Sequence, residues 1–199
     1  MAGTIKLDGT TFLSKDDSNN FTLDVGSGGS IPKGTLGSDV VFPAGHILQV
    51  QADQTREQNS LQNNVWDNFY ELNITLKSAS SDIYIFHGHG VNVQGSNEGY
   101  GMLVYRDTSA SVTTSDTLVY TPNVTDASGP LTGYMGAGNA FHRYSYHFKD
   151  SLSGFSAGTT LYYGFFFQKR DTNSSITLPS GDNNGQHGVF DTTIMEVQK

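Results

Sequence analysis

Two ten-residue segments of the chain alternate apolar and polar side chains with a period of two. In residues 68–77 the even positions Tyr70, Leu72, Ile74 and Leu76 are apolar, and Phe69 alone breaks the polar set at odd positions. In residues 140–149 three aromatic rings occupy even positions, Tyr144, Tyr146 and Phe148. Because successive side chains of a β-strand point to opposite faces, this alternation predicts strands with one buried and one solvated face. No stretch longer than one turn has the apolar spacing of a helix.

The other apolar runs are short and are bounded by turn-forming residues. Further strands are expected at 46–53, 82–87, 100–106, 117–120 and 189–198. Residues 161–167 are apolar on both faces, so this strand should be central, or another subunit should cover its outer face. About eight antiparallel strands at this spacing predict an all-β fold, an antiparallel, jelly-roll-like β-sandwich preceded by an extended N-terminal β arm.

The pattern changes near residue 43. Residues 1–43 hold apolar pairs separated by turn formers, and no segment there can bury a core. We expect this part to be an extended arm for attachment and oligomerisation, whose short strands pair only with something outside the arm. Residues 44–199 carry longer strands and form the predicted sandwich domain.

The charge and composition of the chain exclude several classes of function. The formal net charge is -8, and no run of Lys or Arg occurs. Nucleic-acid binding and attraction to anionic lipid are therefore not expected, because both need clustered cations. Membrane insertion is not expected either, because the longest apolar stretch, 161–167, is far too short to span a bilayer. Cysteine is absent, which excludes a disulfide scaffold and a cysteine nucleophile. The first residues lack the apolar segment of a signal peptide, so no export is expected.

The sharpest local motif is His87-Gly88-His89. Residues two apart on a strand share a face, so the two imidazoles could bind one transition metal, and around a threefold axis such pairs could surround an octahedral ion. The alternative is that Ile83, Ile85, His87 and His89 form one strand face that becomes polar at its rim. His87 and His89 are thus the candidate metal ligands, and no other cofactor is expected.

Aromatic residues in or beside the predicted loops indicate a second kind of site. Aromatic faces stack on sugar rings, so Trp66, Tyr100 and Tyr134 are the candidate contacts for a glycan or receptor, although core or interface packing would account for the same rings. No catalytic residue is expected. The chain lacks a Gly-x-Ser-x-Gly elbow, and the acid pair Glu98 and Asp107 is more typical of solvated loop charges than of a glycosidase.

Four segments carry a resemblance to a known kind of protein. They are GTIK at 3–6, VFPAGHILQV at 41–50, LNITLKS at 72–78 leading to DIYI at 82–85, and DTTIMEV at 191–197. From Val40 onward the chain resembles a domain that recurs in structural proteins of marine bacteriophages, typically in tail or head fibres. The resemblance implies a non-enzymatic virion component with a β-sandwich and trimeric assembly. The segment 87–90 and the loop 133–139 depart from it, so no surface function is implied.

Together these features predict a bacteriophage virion protein made in the host cytoplasm, a homotrimeric fibre or a head or tail decoration component. The arm would bind other virion proteins, and the sandwich would be exposed for contact with a host surface glycan. A trimer would cover both the arm and residues 161–167, and its threefold symmetry is taken from the resemblance alone. The alternatives are a carbohydrate-binding β-sandwich module outside a virion and a polysaccharide-degrading enzyme.

Overall fold

A computed structural model describes most of the chain. The described residues are 3–7, 10–15, 21–23, 44–56, 59–62, 64–94, 98–121, 125–126, 129–130, 133–135, 140–169, 175–179 and 188–199. They form strands, turns and irregular segments, and they include no helix that is long and apolar enough to cross a membrane. The chain divides into two compact units, Met1–Phe42 and Pro43–Lys199.

The first unit contains a small antiparallel sheet. Its strands are β1 (Gly3–Leu7), β2 (Thr10–Lys15) and β3 (Phe21–Leu23), in the order β1-β2-β3. The prediction that these strands pair only with something outside the arm is wrong, because β2 pairs with both β1 and β3. Three short strands in succession satisfy part of one another's backbone hydrogen-bonding capacity.

The second unit contains the remaining strands. They are β4 (Ile47–Thr55), β5 (Asn59–Ser60), β6 (Asp67–Thr75), β7 (Ser81–Gln94), β8 (Glu98–Asp107), β9 (Thr117–Tyr120), β10 (Thr125–Asp126), β11 (Gly129–Pro130), β12 (Gly133–Met135), β13 (Ala140–Asp150), β14 (Thr160–Lys169), β15 (Ser175–Leu178) and β16 (Phe190–Gln198). Strands β10 and β11 pair with each other as a short ribbon.

Two antiparallel sheets pack against each other in this unit. The four main strands of the first sheet have the order β4-β16-β7-β13, and the four main strands of the second sheet have the order β6-β14-β8-β9. Three further strands extend the sheets: β15 pairs with the end of β7, β5 pairs with β15, and β12 pairs with the start of β8. Among the eight main strands in chain order, the first, eighth, third and sixth form one sheet and the others form the second. This order is that of a jelly roll, so the predicted all-β sandwich is confirmed.

The core lies between the two sheets and follows the predicted alternation. In β6 the side chains of Tyr70 and Ile74 are buried, while the odd positions Asn73 and Thr75 are exposed. Strand β7 runs well past the predicted end at residue 87, because Val91 and its neighbour two residues on continue the buried face. The same alternation places the aromatic rings of β13 against the core.

Strand β14 is central, and the chain itself covers its outer face. Residues 108–116, here called the covering loop, place the buried Val112 against Phe166. The carboxylate of Glu71 accepts a 2.9 Å hydrogen bond from the backbone N–H of Val112, and the amide of Asn68 donates to the Val112 carbonyl. The second face of β14 therefore needs no other subunit, and this reason to expect a trimer does not hold.

Buried carboxylates fasten the ends of the strands. Glu196 on β16 is fully buried and accepts hydrogen bonds from several donors, namely the backbone N–H groups of Lys77 and Ser78, the hydroxyl of Ser81 and the amide of Gln49. Asp150 on β13 pairs with Arg106 and accepts a 2.8 Å hydrogen bond from the Tyr163 hydroxyl. The paired carboxylates offset their own desolvation and tie distant segments together.

Candidate functional site

Two histidines lie in the interior of the sandwich. His87 and His89 are 2% and 3% exposed. His87 Nδ1 lies 2.7 Å from Thr192 Oγ1, and His87 Nε2 lies 3.1 Å from His89 Nδ1. His89 Nε2 lies 3.1 Å from the hydroxyl of Tyr100, which lies 3.3 Å from the hydroxyl of Tyr146. These five side chains form one hydrogen-bonded chain across the core, here called the buried relay.

Aromatic rings surround the two imidazoles of the buried relay. The His87 ring centroid lies 4.5 Å from that of Phe165, and the His89 centroid lies 5.1 Å from that of Phe167. Burial lowers the pKa of His89 to about 3. Burial, reinforced by the neighbouring His89, holds the pKa of His87 well below its usual range. Both rings are therefore neutral near neutral pH.

The hydrogen bonds of the buried relay bear on the metal hypothesis. A neutral imidazole has one N–H donor and one acceptor nitrogen, and the relay engages all four ring nitrogens. A metal ion at His87 and His89 would have to replace these bonds. Among the residues that the structure describes, no three His, Cys, Asp or Glu side chains come together as a metal site. Metal binding by His87 and His89 stays a prediction, and the geometry favours a structural role for the pair.

Two expectations about the position of the histidines are corrected. They do share a face with Ile83 and Ile85, but this face does not end in a polar rim, because Val91 is also fully buried beyond them. The rings also lie between the two sheets of a single sandwich. They therefore cannot converge with their counterparts from other copies on a threefold axis without opening the core.

The aromatic candidates for glycan contact lie in different environments. Trp66 is half-buried and packs beside Phe166 on the outer face of the second sheet. Tyr100 is fully buried within the core, where its hydroxyl belongs to the buried relay. This burial favours a structural role for the ring, and contact between Tyr100 and a glycan stays a prediction. The side chain of Tyr134, on β12, lies outside the described residues.

The acid pair considered for glycosidase chemistry is too widely separated. Glu98 and Asp107 are the first and last residues of β8. At about 3.3 Å per residue this places their backbones about 30 Å apart, whereas the two carboxylates of a glycosidase lie about 5 to 10 Å apart. The carboxylate of Asp107 instead accepts a hydrogen bond from the hydroxyl of Ser109.

The outer face of the first sheet carries a feature that sequence reasoning missed. Because His87 and His89 point inward, β7 turns Phe86, Gly88 and Gly90 outward. Two adjoining depressions of about 150 and 320 Å³ lie over these residues and share Gly88, Ser145 and Asp191. We call them together the glycine trough. Its walls are formed by alternate residues of β13 and β16, namely Arg143, Ser145, His147, Asp191 and Thr193.

The signal for the glycine trough was present in the sequence. The motif His87-Gly88-His89-Gly90 places side chains on one face of a strand and none on the other. The metal hypothesis considered only the histidine face. Glycine inside a strand often marks a close approach of a ligand or another backbone, so the opposite face was the second place to look.

Comparison with known proteins identifies no family. No protein-family model and no curated protein matches the chain. It is similar to solved structures of infectious bursal disease virus. The Gx strain structure is 9% identical with a TM-score of 0.37, covering 76% of this chain and 41% of that chain. The VP2 subviral particle of the same virus is 11% identical with a TM-score of 0.25, covering 98% of this chain and 51% of that chain.

The chain thus spans about half the length, or less, of these viral chains. TM-scores this low carry no information about function. The function of the chain has to be inferred from its fold, its site and its sequence.

Proposed function

We propose that the chain is a non-enzymatic structural protein of a bacteriophage virion, a trimeric fibre or a head or tail decoration component. Residues 1–43 attach it to the particle, and the sandwich faces the medium for contact with the host surface. The fold class supports this role, because jelly-roll sandwiches serve in viral shells and in lectins.

The observation that carries the proposal is the use of the interior polar groups. His87, His89, Glu196 and Asp150 are the residue types that catalysis uses most, and each is committed to hydrogen bonds within the core or at its margin. The two imidazoles are neutral and enclosed by aromatic rings. Such groups hold sheets and loops together, which suits a scaffold that presents an outer surface.

Open strand edges support assembly with other chains. Among the described strands, β4 pairs only with β16, and its Ile47 and Val50 are exposed. In the first unit, β1 and β3 each pair with β2 alone within the described part of that unit. Unpaired edges with apolar side chains are templates for pairing with a further strand. The threefold number of copies comes from the resemblance to fibre proteins.

A carbohydrate-binding module outside a virion is the second candidate. The glycine trough favours it, since a surface depression beside an aromatic ring suits a sugar in either setting. The two candidates differ in where the protein is found and in whether residues 1–43 are needed there.

The test uses particles of the phage that encodes the chain. Cryo-electron microscopy should find the full chain at regular positions on purified virions. A chain that begins at Ala44 retains its own core and should fold, yet fail to join particles, while residues 1–43 fused to an unrelated soluble domain should join them. Virions without the full chain would contradict the virion role. Normal occupancy by the shortened chain would contradict attachment through residues 1–43.

The oligomeric state has its own measurement. Light scattering of the full chain at micromolar concentration should give the mass of a trimer. A monomeric mass would contradict the trimer and favour the isolated module.

A further inference from the structure

We propose that the glycine trough is a binding site for a neutral saccharide, with one sugar ring lying over Gly88. The inference deepens the proposed function and rests on it in one respect, the host surface as the source of the saccharide. The floor, the walls and the aromatic end of the trough each support it independently of that role.

The internal packing of the chain does not require glycine at position 88, the floor of the trough. A Cβ atom added to Gly88 would lie 3.6 Å from the carbonyl oxygen of Tyr144 and 3.8 Å from the hydroxyl of Ser145, which are ordinary contacts. The φ angle of Gly88 is not in the left-handed region. Neither sterics nor backbone conformation therefore requires glycine, although glycine weakens a central strand. A side chain there would fill the depression.

The walls offer opposite hydrogen-bonding groups. Arg143 and Asp191 are exposed, and neither side chain has a hydrogen bond or ion pair with any other described residue. A guanidinium only donates, and a carboxylate only accepts. An anionic ligand would pair with Arg143 and be repelled by Asp191. A cationic ligand would pair with Asp191 and be repelled by Arg143. Hydroxyl groups both donate and accept, so a neutral polyhydroxyl ligand satisfies both walls.

One end of the glycine trough presents an aromatic surface. Phe86 is 44% exposed, and its ring stacks beside that of His147 with centroids 6.4 Å apart and an interplanar angle of 24°. An exposed ring next to hydroxyl groups suits the apolar C–H face of a pyranose. Ser145 and Thr193 supply those hydroxyls from the two walls. The combination selects a sugar over a simple polyol, which has no apolar face.

Other occupants and another depression fit less well. A peptide cannot add to β7 as a strand at Gly88, because Ser145 and Asp191 already pair with it on its two edges. A further depression of about 300 Å³ lies beside Asp53 and Glu71. Its carboxylates are already used, since Asp53 accepts a hydrogen bond from Tyr70 and Glu71 accepts those of the covering loop.

The test measures saccharide binding by the full chain. The probes are a printed array of neutral and acidic oligosaccharides and saturation-transfer NMR with glucose, galactose, mannose and N-acetylglucosamine. At least one neutral saccharide should bind. Gly88→Val fills the floor with a residue that favours strands, so it should weaken binding about tenfold or more while the thermal midpoint stays within about 4 °C.

Two variants separate binding from folding. Asp191→Asn keeps the shape of the wall and removes its charge, and it should weaken binding about tenfold. This variant still tests the site if Gly88→Val disturbs β7. Val50→Thr lies on the same outer face but outside the trough, and it should bind like the unmodified chain. Binding by none of the neutral saccharides, preference for acidic saccharides, or unchanged binding by both trough variants would overturn the proposal.

The failure of this inference is distinguishable from failure of the proposed function. Saccharide binding is measured on the isolated chain, whereas the virion role is measured by occupancy on particles. The Gly88→Val chain should join particles normally, because residues 1–43 are unchanged. Absence of the unmodified chain from particles would contradict the virion role and leave the saccharide measurement as it stands.

Discussion

Each outer face of the sandwich carries a glycine within a central strand, and the space around these two glycines differs. On the second sheet, a Cβ atom at Gly164 would lie 2.9 Å from the Cβ of Val112, so glycine is required for the covering loop to dock. On the first sheet, a Cβ atom at Gly88 would meet nothing closer than 3.6 Å. The covering loop closes one face at Gly164, whereas no residue of the described ranges covers the other face at Gly88. The two apolar faces of β14 therefore do not by themselves indicate an oligomer. The face of the first sheet at Gly88 is the better place to seek a ligand.

The largest expected effect is a loss of folding stability at acidic pH, which arises from the two histidines of the buried relay. The folded chain holds His87 and His89 neutral, whereas the unfolded chain protonates them below about pH 6.5. Stability is therefore full above pH 6.5 and falls as the pH decreases towards the folded pKa, by up to about 1.4 kcal/mol per pH unit for each ring. Urea denaturation between pH 7.5 and 4 measures this slope.

Variants and hydrogen exchange sharpen the acid prediction. His89→Phe removes one ring that can protonate and should reduce the slope by about half. Val50→Thr changes an exposed side chain on the same outer face without adding or removing a group that protonates in this range, and it should leave the slope unchanged. Amides of β7, which pairs with a strand on each edge, should be well protected at pH 7.5 and lose protection as the pH falls. A stability that is flat from pH 7 to pH 4 would contradict the assignment of a neutral buried pair.

The second prediction compares the two glycines directly. Gly164→Ala should destabilise the fold by about 1 to 3 kcal/mol, because the added methyl group overlaps Val112 and Phe166 and neither can move without lifting the covering loop. Gly88→Ala should be neutral or slightly stabilising, since the site has room and alanine costs less entropy in a strand. Urea denaturation of both variants at pH 7.5 measures the difference. Equal effects would break the comparison of the two faces.

The smallest expected effect concerns one carboxylate from each face. Glu71→Gln replaces the charged acceptor of the covering loop and should cost about 1 kcal/mol. Asp191→Asn changes a carboxylate without a hydrogen-bond partner among the described residues and should cost less than about 0.5 kcal/mol. Thermal unfolding at pH 7.5 compares them. A larger loss for Asp191→Asn would mean that the outer face of the first sheet holds contacts within the fold.

Much of the fold could be predicted from local patterns. The alternation in 68–77 and 140–149 predicted β6 and β13 to within a few residues, and 117–120 predicted β9 at its observed bounds. Short strands such as β5 and β15 carry too few residues to show a period. They exist because they continue the pairing beside β7.

The candidate site was less predictable than the fold. Parity correctly placed His87 on the face of Ile85, yet parity cannot say whether a face ends at a rim or continues into a core. Tyr100 was placed beside a loop and lies in the interior, because β8 begins earlier than its apolar run. Contacts between different strands decided both outcomes.

The sequence by itself determined the class of fold, because strand periodicity is a property of neighbouring residues and their backbone geometry. Only the tertiary structure decided what covers each surface. The bond from Val112 to Glu71 joins residues 41 positions apart, and the bond from Thr192 to His87 joins residues 105 positions apart. Such contacts depend on how the sheets pack, and residues far apart in the chain leave no periodic signal of their meeting.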